Sequence, residues 1–277
     1  STNTMKKFIV IGNPIKHSLS PLVHNYWFEQ NMIKAAYEKV LVEEKELDDV
    51  IQNIRQEKIT GANVTVPFKQ KIIPLLDELS EVALKTNSVN TVYKKNNKVI
   101  GDNTDVFGFY NSLLELIPNK AIRSVLLIGA GGVSPSIVQA LKNASVNKVM
   151  VVNRTKEKFE VLKNKFGPLV QQILWEDLHH KKFDVELVIN STSLGLEKKE
   201  DLNFNFSSVN KNTVFYDVIY NPEQTSFLKQ AEAQGHQVIN GLKMFLYQAQ
   251  KAFEIWNDIL PTIDKQLLQL MKKNLND

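Results

Sequence analysis

The sequence predicts a two-domain α/β protein, each domain built on a mostly parallel sheet with helices on both faces. Three observations predict it. Strand-like and helix-like patterns alternate along most of the chain. The alternation restarts at Ser124, after a polar junction at Asn103-Thr104-Asp105. A long helical pattern then follows Gly241 with no further strand. The boundaries this sets are 1–105, 106–240 and a C-terminal segment 241–277.

In chain order, FIVIG is an apolar strand, and PLVHNYWFEQ a helix with Leu22, Val23, Tyr26 and Trp27 on one side. AYEKVLV, residues 36–42, alternates as a strand. EKELDDVIQNIRQ sets Leu47, Val50, Ile51 and Ile54 at helical spacing. GANVTVP is a strand ended by Pro67, with Asn63 and Thr65 on one face and Val64 and Val66 filling the other. VNTVYK and KVIGDN pair as a hairpin across a polar turn. The second series runs SVLLIG, the glycine turn GAGGVSPS, the helix IVQALKN, the strand VNKVMVVN and the helix TKEKFEVLKNKF. Two strands, ELVINSTS and TVFYDVIY, complete it.

Composition narrows the function classes. With 43% apolar and 23% charged residues among 277, the chain reads as soluble and globular. No apolar run approaches a membrane span, and the run after Met5-Lys6-Lys7 stops at Asn13-Pro14, too soon for a signal peptide. The absence of cysteine excludes disulfides and thiolate metal sites and suits a cytoplasmic location. The five His form no metal-binding pattern, so no metal is expected. Net charge is +4, but the bases are almost all Lys, interspersed with acids; the only Arg are Arg55, Arg123 and Arg154. Without an Arg-aromatic cluster, no nucleic-acid partner is expected.

Gly129-Ala130-Gly131-Gly132 lies after a strand and before a helix, where glycines let a backbone approach a pyrophosphate at a helix N-terminus. A third fingerprint glycine would fall at 134, which is Ser. The next strand ends in Asn153-Arg154-Thr155. An acid here would accept from a ribose 2′-hydroxyl and repel a 2′-phosphate; an Arg, with Lys158 one turn on, favours NADP.

The first domain carries a polar inventory. Ser20-Pro21 reads as an N-cap followed by Pro at the first helical position, with Ser18 two residues earlier, a place that suits a carboxylate. Lys69 follows Pro67 at a strand's carboxyl end, where parallel sheets bind ligands. Asn90-Thr91 and Asn103-Thr104-Asp105 add amides, hydroxyls and one acid. Such a set suits a small polyhydroxy acid. His17 and His24 are given no role.

These residues resemble the shikimate dehydrogenase family over essentially the whole chain. Its hallmarks appear in order as GNPIKHSLSP, NVTVPFK, SVNTV, NTD, GAGG, NRT, NSTSLG, DVIYNP and GLKMFLYQA. The resemblance implies reversible reduction of 3-dehydroshikimate to shikimate with NADP(H), in the pathway to chorismate and the aromatic amino acids. It implies Ser18 and Ser20 on the substrate carboxylate, and Asn63, Thr65, Asn90 and Gln248 on the ring hydroxyls. Lys69 and Asp105 match the catalytic pair, and Tyr220 a residue beside nicotinamide and substrate. On the cofactor it implies Gly129, Ala130, Gly131, Gly132 and Val133 at the pyrophosphate. Asn153, Arg154, Thr155 and Lys158 match the 2′-phosphate site, with Thr192, Ser193 and Gly241 also on the cofactor side. Gln248 would join the first-domain site from the last segment, so the C-terminal helices are expected to pack back on the first domain, beside a Rossmann-like NADP-binding domain. Ser88, Val106 and Pro135 depart from the family's usual residues, and Lys158 stands where it often has Arg.

Three alternatives are weighed. A quinate/shikimate dehydrogenase would share the framework with broader substrate and NAD/NADP use. Another two-domain dehydrogenase is disfavoured by the serine pair and NVTVPFK, and a non-catalytic cofactor-sensing module by the presence of Lys69 and Asp105. The expected assembly is a monomer or homodimer.

Overall fold

A computed structural model describes residues 4–192 and 202–275. The chain divides into two compact units: the chain up to Gly108 with Leu246–Asn274, and Phe109–Phe245.

The first unit holds β1 (Lys6–Gly12), α1 (Ser20–Gln30), β2 (Ala35–Leu41), α2 (Leu47–Arg55), β3 (Gly61–Val64), β4 (Glu78–Leu79), α3 (Glu81–Thr86), β5 (Thr91–Lys95) and β6 (Lys98–Asp102). Helix α4 (Asp105–Leu116) then leads out of it. Strand order is β2-β1-β3-β5-β6-β4. β1 pairs in parallel with β2 and β3, and β4 with β6, while β5 runs antiparallel to both its neighbours. The β5–β6 hairpin turns on Asn96 and Asn97, both at positive φ (52° and 64°), the backbone a tight two-residue hairpin needs. Leu47, Val50, Ile51 and Ile54 of α2 are all buried against Ile9, Ile11 and Val64, as their spacing predicts.

The structure corrects three local readings. β3 ends at Val64, not at Pro67. The Thr65 amide donates to the Ile11 carbonyl and the chain then turns, so Val66 is 57% exposed rather than filling a face. Ser20 does not cap α1: the cap position is Leu19, without a side-chain bond, and the Ser18 hydroxyl instead accepts from the Ser20 amide at 3.3 Å. Helix α1 is also buried more widely than one stripe, with His24 and Phe28 inside and Leu22 only half-buried. It lies between its sheet and the returning C-terminal segment. There the Tyr26 hydroxyl donates to Asp264 (2.8 Å) and the Trp27 indole to the Thr262 carbonyl (3.0 Å).

The second unit holds β7 (Ser124–Ile128), α5 (Ser134–Asn143), β8 (Lys148–Val152), α6 (Lys156–Phe166), β9 (Val170–Ile173), α7 (Asp177–His180), β10 (Leu187–Asn190), β11 (Val214–Asp217), α8 (Ser226–Ala233) and β12 (Val238–Ile239). All strand pairs are parallel, in the order β12-β11-β10-β7-β8-β9. Read from the β9 edge this is 3-2-1-4-5-6, the doubly wound dinucleotide-binding arrangement with its switch point between β7 and β10. Helices α9 (Leu242–Asn257) and α10 (Lys265–Lys273) complete the chain, and α10 packs on α1. Among the described residues no helix is long and apolar enough to cross a membrane.

Candidate active site

In the first unit the topology collects polar residues at one sheet edge. β1, β3 and β6 end there and the antiparallel β5 begins there, and the register aligns Val10, Asn63, Thr91 and Asp102 across the four strands. Lys69, past the end of β3, donates from Nζ to Asp105 Oδ2 at 2.7 Å, and both side chains are nearly withdrawn from solvent (13% and 7% exposed). Asp105 is the first residue of α4, where a carboxylate interacts favourably with the helix dipole. Asn103 fixes it there: its Oδ1 accepts from the Asp105 and Val106 amides (2.8 and 3.2 Å), and its Nδ2 donates to Thr86 Oγ1 and the Ser88 carbonyl (both 3.1 Å).

Asn90 is the hub. Its Nδ2 lies within donating distance of Thr104 Oγ1 (2.8 Å), Asp105 Oδ1 (3.2 Å) and Gln248 Oε1 (3.4 Å). Its Oδ1 accepts from the Thr104 amide and the Thr91 hydroxyl. Asn63 stands behind it. The Asn63 Nδ2 donates to the Asn90 carbonyl (3.0 Å) and to Thr91 Oγ1 (3.2 Å), which commits both its hydrogens inside the protein. Its Oδ1 accepts from the Tyr37 hydroxyl at 2.6 Å. Burial pushes the Tyr37 phenol well above the usual tyrosine range, with the neighbouring Ser20 hydroxyl opposing. A continuous path therefore runs Tyr37–Asn63–Asn90–Asp105–Lys69, with Gln248 attached at Asn90. Thr65 and Ser18 lie on the loops beyond β3 and β1, tied by the Asn13 amide to the Val66 carbonyl (3.0 Å).

Tyr37 carried no signal in the sequence. In an alternating strand it reads as one more inward apolar position, and periodicity does not report a hydroxyl's partner.

In the second unit the turn after β7 places Gly129 at φ +106°, a conformation that favours glycine. Apart from their own chain neighbours, no atom of the described residues lies within 4 Å of where a Cβ of Gly131 or Gly132 would stand, so packing against these residues does not explain them. The open backbone there leaves room for a ligand, and the residues fit a dinucleotide pyrophosphate at the α5 N-terminus. Ala130 and Val133 line the same turn, half-buried. Ser134, at the imperfect third fingerprint position, is fully buried and donates to the Gly129 carbonyl at 3.1 Å, which braces the turn.

Asn153, Arg154 and Thr155 follow β8 directly. The Asn153 Nδ2 donates to the Thr155 carbonyl, Thr155 precedes α6, and Lys158 is exposed in that helix's first turn. The Arg154 guanidinium lies 4.4 Å from the centre of the Trp175 ring. Thr192 donates its amide and hydroxyl to Asn190 Oδ1 (3.0 and 2.6 Å). Asn190 donates to the buried Asp217, which also accepts from the Ile219 amide and the Thr225 hydroxyl. Burial raises the Asp217 carboxyl to about 6 against these bonds. Tyr220 stacks on Phe245 (centroids 4.7 Å apart), and burial raises its phenol too. Gly241 packs so tightly on the Val218 backbone that a Cβ would collide with the Val218 carbonyl. Ser193 lies outside the described residues. No group of His, Cys, Asp and Glu able to hold a metal occurs among the described residues.

Two family models match the chain: the shikimate dehydrogenase substrate binding domain over residues 10–92, and shikimate / quinate 5-dehydrogenase over residues 114–219. A protein of Pelagibacter ubique named shikimate dehydrogenase (NADP(+)) is 50% identical over 266 residues, covering 96% of this chain and 98% of that one. The chain belongs to the shikimate dehydrogenase family. The crystal structure of the Aquifex aeolicus shikimate dehydrogenase superposes with a TM-score of 0.86 at 35% identity, covering 100% of both chains. That of the Thermus thermophilus shikimate 5-dehydrogenase, in complex with NADP(H) and shikimate, gives 0.86 at 29% identity, over 98% of this chain and 100% of that one. The neighbours span both the polar edge of the first unit and the glycine turn of the second, and the family models reach Lys69 and Asn90 in the one and the whole turn in the other.

Proposed function

We propose that the chain catalyses the reversible, NADPH-dependent reduction of 3-dehydroshikimate to shikimate in the shikimate pathway. The observation that carries the chemistry is the Lys69–Asp105 pair, withdrawn from solvent and 2.7 Å apart at the edge where the polar residues converge.

The hydride comes from the bound reduced cofactor. Lys69 hands a proton to the oxygen that hydride transfer leaves negative, and Asp105 holds the ammonium in place. Ser18 and Ser20 bind the carboxylate near the positive end of α1. Thr65, Asn90 and Gln248 hold ring hydroxyls. Asn63, its amide hydrogens already spent, contributes by fixing Asn90 and Thr91 and offers a ligand only the remaining capacity of Oδ1. Tyr220 lies beside the nicotinamide. Gly129 to Val133 receive the pyrophosphate, and Asn153, Arg154, Thr155 and Lys158 the 2′-phosphate, with Thr192, Ser193 and Gly241 also on the cofactor side. For Gly241 the collision with Val218 supplies a packing reason as well. The reading makes the enzyme a cytoplasmic monomer or homodimer, two states that light scattering separates.

The test is the initial rate of cofactor reduction with shikimate and quinate, each offered NADP⁺ and NAD⁺. Activity confined to shikimate with NADP⁺ is expected. Strong quinate or NAD⁺ turnover moves the chain to the quinate/shikimate branch, and folded protein inactive in all four mixtures refutes the enzymatic reading.

A further inference from the structure

Resting on the reading of Arg154 as the 2′-phosphate residue, we propose that Trp175 is a positioning residue for cofactor choice: its indole face holds the Arg154 guanidinium ready for the 2′-phosphate.

The sheet builds the pair. β8 and β9 are parallel neighbours with Val152 opposite Ile173. Arg154 lies two residues beyond the one and Trp175 two beyond the other, so both emerge at the same level of the carboxyl edge. The guanidinium carbon sits 4.4 Å from the indole centroid, inside the range of a cation–π contact, for which Trp is the best aromatic partner.

The platform under the arginine is itself anchored. Trp175 is half-buried and packs, with Ile173, against the core of the second unit. The turn that carries it is closed by the Leu174 amide on Asp177 Oδ2 (3.3 Å) and by the Leu178 amide on the Trp175 carbonyl (3.2 Å).

The geometry suits a phosphate. A guanidinium carries its five N–H donors in one plane, in a fork that matches two phosphate oxygens at once. An exposed arginine otherwise loses considerable rotamer freedom on gripping an anion, and stacking removes part of that loss before the ligand arrives. On this proposal the indole acts through Arg154, so its effect belongs to nucleotides that carry the 2′-phosphate.

The experiment uses the full-length protein with W175L, W175F and R154A. Calorimetry measures the affinity for 2′,5′-ADP and 5′-AMP, and kinetics give KM and kcat with NADP⁺ and NAD⁺. For W175L we expect a roughly two- to fivefold loss of 2′,5′-ADP affinity and a matching rise in the NADP⁺ KM. 5′-AMP binding, the NAD⁺ KM and kcat should stay unchanged, and W175F should recover most of the loss because it restores an aromatic face. Equal weakening of both nucleotides, or none, overturns the proposal. If R154A weakens 2′,5′-ADP and W175L does not, only the role of Trp175 falls. If R154A leaves the preference for 2′,5′-ADP intact, the assignment of Arg154 falls and takes this inference with it.

Discussion

His24 offers a quantitative test of how the first unit is built. Its ring is fully buried, neither nitrogen has a hydrogen-bond partner among the described residues, and burial lowers it from 6.5 to about 3. The imidazole stacks on Tyr37 (4.5 Å, 3° between planes) and meets Trp27, Phe253 and Trp256, with no charged group among these ring contacts. It is therefore neutral in the folded state. Between about pH 3 and 6.5 the unfolded chain binds a proton that the folded chain refuses, so stability is complete above 6.5 and declines as the pH falls. Going from about pH 8 to about pH 5, this one group removes about 2 kcal/mol, and the full shift corresponds to about 5 kcal/mol. His24→Phe keeps an aromatic ring of similar size and removes the titration. Urea unfolding of both proteins, followed by tryptophan fluorescence at the two pH values, isolates the difference because all other groups are shared. The variant should lose about 2 kcal/mol less than the parent between those pH values. Parallel losses in the two proteins would refute the reasoning, since His24 would then find a proton or a partner in the folded state.

The remaining predictions concern the polar edge. Lys69→Ala should cut kcat by roughly 10²- to 10⁴-fold while leaving shikimate binding, measured by calorimetry, within a few-fold; a defect in binding alone would remove Lys69 from the proton step. Asp105→Asn should lower kcat at least roughly tenfold by releasing the Lys69 ammonium, and unchanged turnover would exclude a mechanistic part for the carboxylate. Tyr37→Phe removes the hydroxyl that holds Asn63 Oδ1 behind Asn90 and should raise the shikimate KM roughly fivefold, the equivalent of about 1 kcal/mol, with kcat little changed. Loss of stability with no change in KM would make Tyr37 a core residue only.

Much of the fold was legible because burial imposes a period. The buried face of α2 and the runs FIVIG, SVLLIG and KVMVV are visible in sequence as spacing alone. What escaped was short or exposed. β9 reads Val-Gln-Gln-Ile, with both glutamines in solvent at the sheet edge, and β4 and β12 have only two residues each, too few for any period to show. For the candidate site, residue type and position at a strand end pointed to Lys69, Asp105 and Asn90, which the fold brings within hydrogen-bonding distance. Tyr37, Asn190, Asp217 and Trp175 were invisible as participants, because each acts through a partner distant in sequence. Ser20 was misread as a cap because Ser-Pro before a helix also suits the first helical position that it takes here.

The hydrogen-bond inventory divides the polar edge into groups that hold and groups with capacity left. The Asn63 side-chain amide is spent on Asn90 and Thr91, the Asn90 Oδ1 on Thr104 and Thr91, and the Asn103 side chain on the start of α4 and the loop at Ser88. The Lys69 ammonium has three donors, of which Asp105 Oδ2 takes one, and the Thr65 hydroxyl is engaged by no side chain among the described residues. A polar cluster made only of the first kind would be a structural network, and one made only of the second would not hold its shape. Here the spent amides fix the acceptors around Lys69 while its own donors remain available, as a proton-transfer site requires. Substitutions among the spent amides leave buried donors or acceptors unpaired and should therefore cost stability together with activity. A substitution at Thr65 should cost activity alone, whereas one at Lys69 also strands the buried Asp105 carboxylate and should cost stability as well.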